Sequence, residues 1–110
     1  MKKVGMEKEN NTSAQRRLEK AVSFGNLWIY ILSLCGKKAV YAYCLRELIM
    51  ERFGFCPSRL MGYLVLYKLE AEGLISSKFV KRRKYYEATK KGKKALSWAK
   101  KHLGGLSKKL

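Results

Sequence analysis

The chain has 110 residues, of which 47% are hydrophobic, enough for one domain with a small core but not for two. The formal net charge is +17 and is unevenly spread, because residues 76–110 hold thirteen Lys or Arg against one acid, Glu87, a net of +12. This composition excludes a wholly disordered chain and indicates a polyanionic partner, nucleic acid first, with an acidic protein or an anionic membrane as alternatives.

Enzymatic, metal-binding and membrane-spanning functions find little support. The chain has no Asp, a single His, no G-x-S-x-G motif and no phosphate-binding Gly loop, so we expect no enzyme. Cys35, Cys44, Cys56 and His102 lack the spacing of zinc ligands, so we expect no metal and no cofactor, and we interpret the cysteines as reduced core thiols of a cytoplasmic protein. We expect no signal peptide, and the longest apolar run, residues 27–35, is too short to span a bilayer.

A tail and two helices are predicted at the N-terminal end. Residues 1–11 are predicted to be a disordered tail, and the capping-box spacing of Thr12 and Gln15 predicts a helix that ends near Gly25. Asn26 is predicted to cap a second helix, LWIYILSLC, which is apolar on nearly every side. A small domain cannot easily surround such a helix, so we expect a homodimer, although an arm that only covers its own core is the alternative. The expected dimer contacts are Leu18, Val22, Leu27, Trp28 and Ile31.

A helix-turn-helix is predicted next. Residues 39–41 are expected to form a short strand, a helix follows to about Phe53, and the next helix is predicted to run from Pro57 to Glu72. One face of that helix, with Gly62, Val65, Leu66 and Leu69, should meet the core, and the opposite face carries Leu60, Tyr63, Leu64 and Tyr67. Ser58 and Arg59 lie at its N-terminus and Lys68 on its flank. Since this face lacks the Asn, Gln and multiple Arg that read base edges, we expect it to use Arg59, tyrosine hydroxyls and shape.

A basic β-ribbon follows the helix. Residues 74–80 and 84–88 are predicted as strands around the tip Lys81-Arg82-Arg83, and Lys84 continues the basic run. The tip has no Gly or Asn that would favour a tight turn, and adjacent cations repel one another, so we expect it to be mobile until an anion screens it. A solvated basic turn is the alternative interpretation.

The last predicted helix begins after Thr89, its expected N-cap. Lys90 and Lys91 occupy its first turn, where the helix dipole disfavours cations. We interpret both as phosphate ligands, together with the backbone N–H groups of that turn, and a generally basic surface is an equal alternative. Ala95, Leu96, Ala99 and Leu103 should face inward, and Trp98 should pack on the core or on a dimer mate. Gly104-Gly105 is predicted to end the helix before a loose basic tail, residues 104–110.

Together these elements predict a mainly α fold with a small β-wing, a winged helix-turn-helix with an extra N-terminal helix, over residues 12–103. In this layout the second helix of the helix-turn-helix lies in a DNA groove and the ribbon lies along the phosphates. The expected contacts with double-stranded DNA are Ser58, Arg59, Tyr63, Tyr67, Lys68, Lys81, Arg82, Arg83, Lys84, Lys90 and Lys91.

At these residues the chain resembles the PadR-like family of winged-helix transcriptional regulators. The resemblance covers roughly Leu27 to Leu96. It rests on Tyr63…Leu66…Leu69-Glu70-Ala71-Glu72-Gly73-Leu74-Ile75 and, more specifically, on Arg83-Lys84-Tyr85-Tyr86-Glu87-Ala88-Thr89-Lys90-Lys91-Gly92…Leu96. The usual His-Gly-Tyr-Glu segment of the family is Tyr41-Ala42-Tyr43-Cys44 here. The resemblance implies a short member that lacks the long C-terminal helices through which many members dimerise, so dimerisation is expected to use the N-terminal helices.

Three functions are compatible with these observations. The preferred one is a sequence-specific, homodimeric transcriptional regulator, a repressor by occlusion. The second is a sequence-tolerant nucleoid-type DNA- or RNA-binding structural protein, which the charge excess and the helix poor in base-reading residues favour. The third is a winged helix that binds protein in a larger transcription or replication assembly.

Overall fold

Five helices and three short strands make up residues 11–110, the part of the chain that the computed structural model describes. All of the predicted tail except Asn11 lies outside these residues. The elements are α1 (Ser13–Val22), a 3₁₀ turn (Phe24–Asn26), α2 (Leu27–Lys37), β1 (Val40–Tyr41), a 3₁₀ turn (Ala42–Cys44), α3 (Leu45–Phe53), α4 (Arg59–Ala71), β2 (Ile75–Val80), β3 (Arg83–Ala88) and α5 (Lys90–Lys109). The strands form an antiparallel sheet in the order β1-β3-β2, so the predicted winged helix-turn-helix fold is confirmed.

Helix α2 lies at the centre of the core. It is in contact with α3, α4, α5 and β3, which cover it from several sides. Its predicted burial is therefore confirmed, but the chain covers this helix itself. Leu27 and Ile31 are almost completely buried within the chain, so their assignment to a dimer interface is wrong. Trp28 is half-buried.

Helix α1 extends from the core as an arm. The predicted capping box is present: the Gln15 backbone N–H donates to Thr12 Oγ1 at 3.1 Å, and the Thr12 N–H donates to Gln15 Oε1 at 2.7 Å. The helix ends at Val22, before Gly25, and it has no buried residue. Asn26 lies at the predicted N-cap position of α2, but its side chain forms no capping hydrogen bond and its amide donates instead to the Ala21 carbonyl at 2.7 Å.

Helix α5 is longer than predicted. It continues through Gly104-Gly105 to Lys109, and the Leu110 N–H still donates to the Leu106 carbonyl at 3.2 Å. Glycine lowers helix propensity by about 1 kcal/mol but does not by itself end a helix. The predicted loose tail is therefore helical in this structure. Trp98 lies on the surface, stacked on His102 with ring centroids 4.8 Å apart.

Helix capping and close packing explain the Thr-x-x-Gly sequence at the start of α5. The N–H of Gly92 donates to Thr89 Oγ1 at 3.1 Å, which confirms the predicted cap. A Cβ atom on Gly92 would lie 2.0 Å from the Leu74 carbonyl oxygen. Only glycine therefore lets α5 approach the backbone just before β2 this closely.

The cysteines differ from one another in environment. Cys35 is in the core, where burial raises the pKa of its thiol to about 12. Cys44 is half-buried and Cys56 is exposed, so the prediction of core thiols holds for Cys35 and is wrong for Cys56. No group of His, Cys or acidic residues within residues 11–110 could hold a metal ion.

Candidate nucleic-acid interface

The N-terminus of α4 is fixed by α3. Ser58 is the N-cap, and its Oγ accepts from the Met61 N–H at 3.1 Å. Pro57 therefore precedes the helix, so its predicted place as the first helical residue is wrong. Pro57 is buried, and its carbonyl accepts from Arg46 Nε at 2.8 Å. Arg46 thus holds the start of α4, where Arg59 is exposed.

The two faces of α4 divide as predicted. Gly62, Leu66 and Leu69 are buried and Val65 is half-buried. The other face is exposed, with Leu60, Tyr63, Leu64 and Tyr67. The tyrosine-bearing face is therefore available to a partner rather than buried in the chain.

Lys68 lies apart from the other predicted contacts. It is exposed and lines an apolar groove together with Phe24, Trp28 and Glu72. Residues two positions apart in sequence are about 200° apart around a helix, so Lys68 is nearly opposite Glu70, which faces the sheet. Lys68 thus flanks α4 on the side away from the β-ribbon.

The wing, defined here as β2, β3 and the turn between them, lies beside α4. Helix α4 packs against β2, and Ser77 Oγ donates to Glu70 Oε2 at 2.7 Å. Because α4 and the wing are joined in this way, the exposed face of α4 and the cations of the wing belong to neighbouring surfaces.

The tip of the wing is a tight turn, which the sequence did not predict. Val80 pairs with Arg83, so Lys81 and Arg82 form a two-residue hairpin loop. Both residues have positive φ, 51° and 70°, as in a type I′ turn that usually takes Asn-Gly. The pairing of β2 with β3 therefore imposes a strained backbone on two cationic residues.

A row of tyrosines supports Arg83 on one face of the sheet. The Arg83 guanidinium lies 5.2 Å from the centre of the Tyr41 ring. Tyr41 is in register with Tyr85, and its ring is 5.5 Å from that of Tyr85 and 6.0 Å from that of Tyr43. Sequence reasoning missed this cluster, and the predicted strand at residues 39–41 was the signal that could have found it.

A small cleft connects this row with α4. Tyr43 and Arg46 line it from one side, and Arg59 and Tyr63 line it from the other. Tyr43 is highly exposed. The cleft therefore adds Tyr43 and Arg46 to the surroundings of the predicted contacts Arg59 and Tyr63.

Lys84 projects from the opposite face of β3. Its Nζ lies 5.2 Å from the centre of the Tyr86 ring and 6.0 Å from that of Phe79. Hydrogen bonding to Tyr86 raises the pKa of Lys84 above its ordinary value. The raised pKa favours the charged form, which is the form that binds a phosphate.

The two lysines that begin α5 have different surroundings. Lys91 Nζ donates to the Glu72 carbonyl at 2.8 Å, just past the last residue of α4. A cation is favourable at the C-terminal end of a helix, which offsets the unfavourable position of Lys91 in the first turn of α5. Both lysines are exposed, but Lys91 has a structural partner in the Glu72 carbonyl.

The fold and this surface define a winged-helix protein with an exposed helix face beside a cationic ribbon. Within residues 11–110, no helix is long and apolar enough to cross a membrane. The sequence matches the PadR-like family of transcriptional regulators over residues 31–98. The chain therefore belongs to this family, and its function is DNA-binding regulation of transcription.

Solved structures support the same assignment. A PadR family transcription regulator from Clostridium difficile is 31% identical, with a TM-score of 0.68 over 74% of this chain and 90% of that one. The protein smu.1704 from Streptococcus mutans is 28% identical, with a TM-score of 0.66 over 78% and 83% of the two chains. A PadR-like transcription factor from Bacteroides fragilis, 23% identical, shares the fold with a TM-score of 0.72 over 84% and 94%. Comparison with curated proteins gives no match.

Proposed function

We propose that the protein is a sequence-specific repressor that binds double-stranded DNA as a homodimer and blocks transcription by occlusion. The observation that supports this most is the hydrogen bond between Ser77 and Glu70. It joins the wing to α4, so one surface can straddle a duplex with a helix in the major groove and a ribbon along the backbone.

The predicted contacts receive distinct roles in this proposal. Arg59 and Ser58 enter the major groove, where Arg59 can read a guanine through two hydrogen bonds. Tyr63 and Tyr67 lie against the groove walls. The main phosphate ligands are the cations of the wing and of the start of α5: Lys81, Arg82, Arg83, Lys84 and Lys90. Lys91, and Lys68 on the other flank of α4, are secondary phosphate ligands.

The dimer is proposed to form through the exposed apolar residues of α1 and α5. Leu18 and Val22 remain exposed on α1, and Leu103 and Leu106 on α5. Helical spacing puts one row of α5 lysines nearly opposite its apolar stripe; this row is Lys90, Lys94, Lys101 and Lys108. Two copies can therefore bring their α5 stripes together without bringing these lysines into contact.

Analytical ultracentrifugation tests this dimer. The unaltered chain should sediment as a dimer, and the Leu103→Glu/Leu106→Glu variant as a folded monomer. DNA protection by the dimer should then appear as two half-sites about one helical turn, ~10 base pairs, apart. If the unaltered chain stays monomeric at high micromolar concentration, the dimer is removed from the proposal.

A sequence-tolerant nucleoid-type protein is the second candidate. Arg59 is the only side chain at the exposed start of α4 that can read a base pair through two hydrogen bonds, and the net charge is +17. A competition assay against unrelated duplex separates the two functions. A specific-over-nonspecific ratio of ~10³ or more supports the repressor, and a ratio near one supports the nucleoid protein. In both cases we place the protein in the cytoplasm, associated with the nucleoid.

A footprint on the DNA that flanks the protein's own gene tests the regulatory role. The repressor should protect a discrete site that overlaps a promoter, and transcription from that promoter should fall as protein is added. Uniform protection without a boundary would contradict the proposal of a specific repressor.

A further inference from the structure

The exposed face of α4 is unusually apolar for a helix that reads DNA. Leu60, Leu64 and Tyr67 are 68%, 51% and 73% exposed. Their spacing of four and three residues puts them in one row along the outside of the helix. Leucine side chains cannot form hydrogen bonds, so the two leucines of this row cannot read the donors and acceptors of base edges.

The charge around this row indicates which partner covers it. Arg59 borders the row at the start of α4, and the cationic tip of the wing lies on the neighbouring element. Within residues 80–91, Glu87 is the only acid, and it is paired with Lys78 at 3.7 Å. An apolar row beside such a strongly cationic ribbon fits a polyanion that also offers apolar groups.

The DNA major groove offers one apolar group, the C5-methyl of thymine. We infer that Leu60 and Leu64 bind thymine methyl groups and thereby set the base preference of the half-site. This inference rests on the proposed function and adds the chemistry by which α4 discriminates. Four residues advance a helix by about 6 Å and base pairs are spaced by about 3.4 Å, so the two thymines should be one to two base pairs apart.

Replacement of thymine by deoxyuridine tests the inference, because it removes the methyl group and leaves base pairing unchanged. A half-site is first obtained by selection from a random duplex pool. Affinity should then fall about fourfold for each contacted thymine that is replaced, the amount expected for one buried methyl group. Replacements outside the half-site are the control and should leave affinity unchanged.

Two variants assign the effect to α4. Leu64→Ala removes the side chain that contacts one thymine methyl group. This variant should bind the selected duplex and the duplex with deoxyuridine at that one position with nearly equal affinity. Met50→Ala is the matched control, since Met50 is also an exposed apolar residue, on α3. This control should retain the full difference between the two duplexes, and thermal melting should show that both variants are folded.

The outcomes separate the inference from the proposed function. Selective binding with no effect of deoxyuridine at any position overturns the inference and leaves the repressor standing. Failure to bind any duplex at low salt overturns both. Loss of self-association in Leu64→Ala, without any sensitivity to deoxyuridine, assigns the row to a protein contact and also overturns the inference.

Discussion

The exposed face of α4 and the tip of the wing are neighbours with opposite chemistry. The wing tip is a run of cations, two of them held at positive φ. The face of α4 carries leucines and tyrosines with Arg59 at its start. Phosphate contacts position a protein on DNA and base contacts specify the sequence. We therefore propose a division of roles between the two regions, with affinity from the wing and discrimination from α4.

The largest effect should come from separating the two regions. Gly92→Ala would bring a Cβ to 2.0 Å from the Leu74 carbonyl oxygen and 3.1 Å from Leu32 Cδ2. The backbone must shift to relieve this, so we expect a loss of about 3 kcal/mol in the free energy of unfolding. Because Leu74 directly precedes β2, the base of the wing should also move relative to α4. Urea denaturation measures the loss.

Gly104→Ala is the matched control for this prediction. Gly104 is also within α5, and nothing lies within 4 Å of the added Cβ. This variant should be more stable by about 0.5–1 kcal/mol, since alanine is the better helix former. Equal stability of the two variants would mean that the close approach at Gly92 does not hold the wing.

Removal of charge from the wing should weaken binding to every sequence alike. In Arg82→Ala/Arg83→Ala the slope of log affinity against log salt concentration should become shallower by about two, because two phosphate contacts are lost. Affinity should fall about 10- to 100-fold on selected and unrelated duplexes. Titrations at several salt concentrations measure both.

Lys108→Ala/Lys109→Ala carries the same charge change at the far end of α5 and serves as the control for the wing variant. It should change the salt slope much less than the wing variant does. A salt slope that is unchanged in the wing variant would remove the wing from the DNA contacts.

The strained turn allows stability and binding to be changed in opposite directions. Lys81→Asn/Arg82→Gly gives a type I′ turn its preferred residues, so we expect a gain of about 1 kcal/mol in the free energy of unfolding. DNA affinity should fall, because two cations are lost. The control variant Lys81→Ala/Arg82→Ala loses the same charge without relief of the positive φ. It should bind DNA as weakly as Lys81→Asn/Arg82→Gly does, but without the gain in stability. Thermal melting and titration with duplex separate the two effects.

The smallest effect should come from the hydrogen bond between the two regions. Ser77→Ala removes the donor to Glu70, so we expect a loss of about 1 kcal/mol in stability. Ser76→Ala is the control, because Ser76 is exposed and is the adjacent residue of β2. Hydrogen exchange should show faster opening of β2 in the Ser77 variant only. The same exchange rate in both would show that the wing is held by packing alone.

The order of elements and the face of α4 could be predicted from the sequence because local signals determine them. Thr12 and Thr89 are caps with side-chain hydrogen bonds, and the apolar period of α4 matches its buried face. Gly73, at φ 78°, ends that helix as expected. At these positions local preference and tertiary structure agree.

The misses involve contacts between distant parts of the chain. Leu27 and Ile31 were assigned to a subunit interface because the local sequence does not show that α5 and β3, which are distant along the chain, pack against α2. Arg83 meets Tyr41 only through the pairing of β1 with β3. The tight turn at Lys81 and Arg82 opposes local preference, and strand register decides it. The continuation of α5 beyond Gly104 likewise opposes the usual meaning of a glycine pair.

The division of roles is tested most directly by measuring Arg59→Ala and Arg82→Ala against a selected half-site and a scrambled duplex. The wing variant should weaken binding to both duplexes by the same factor. The α4 variant should weaken binding to the selected duplex by about 1–3 kcal/mol and leave the scrambled duplex nearly unchanged. Equal losses on both duplexes for Arg59→Ala, or a loss confined to the selected duplex for Arg82→Ala, would contradict the account.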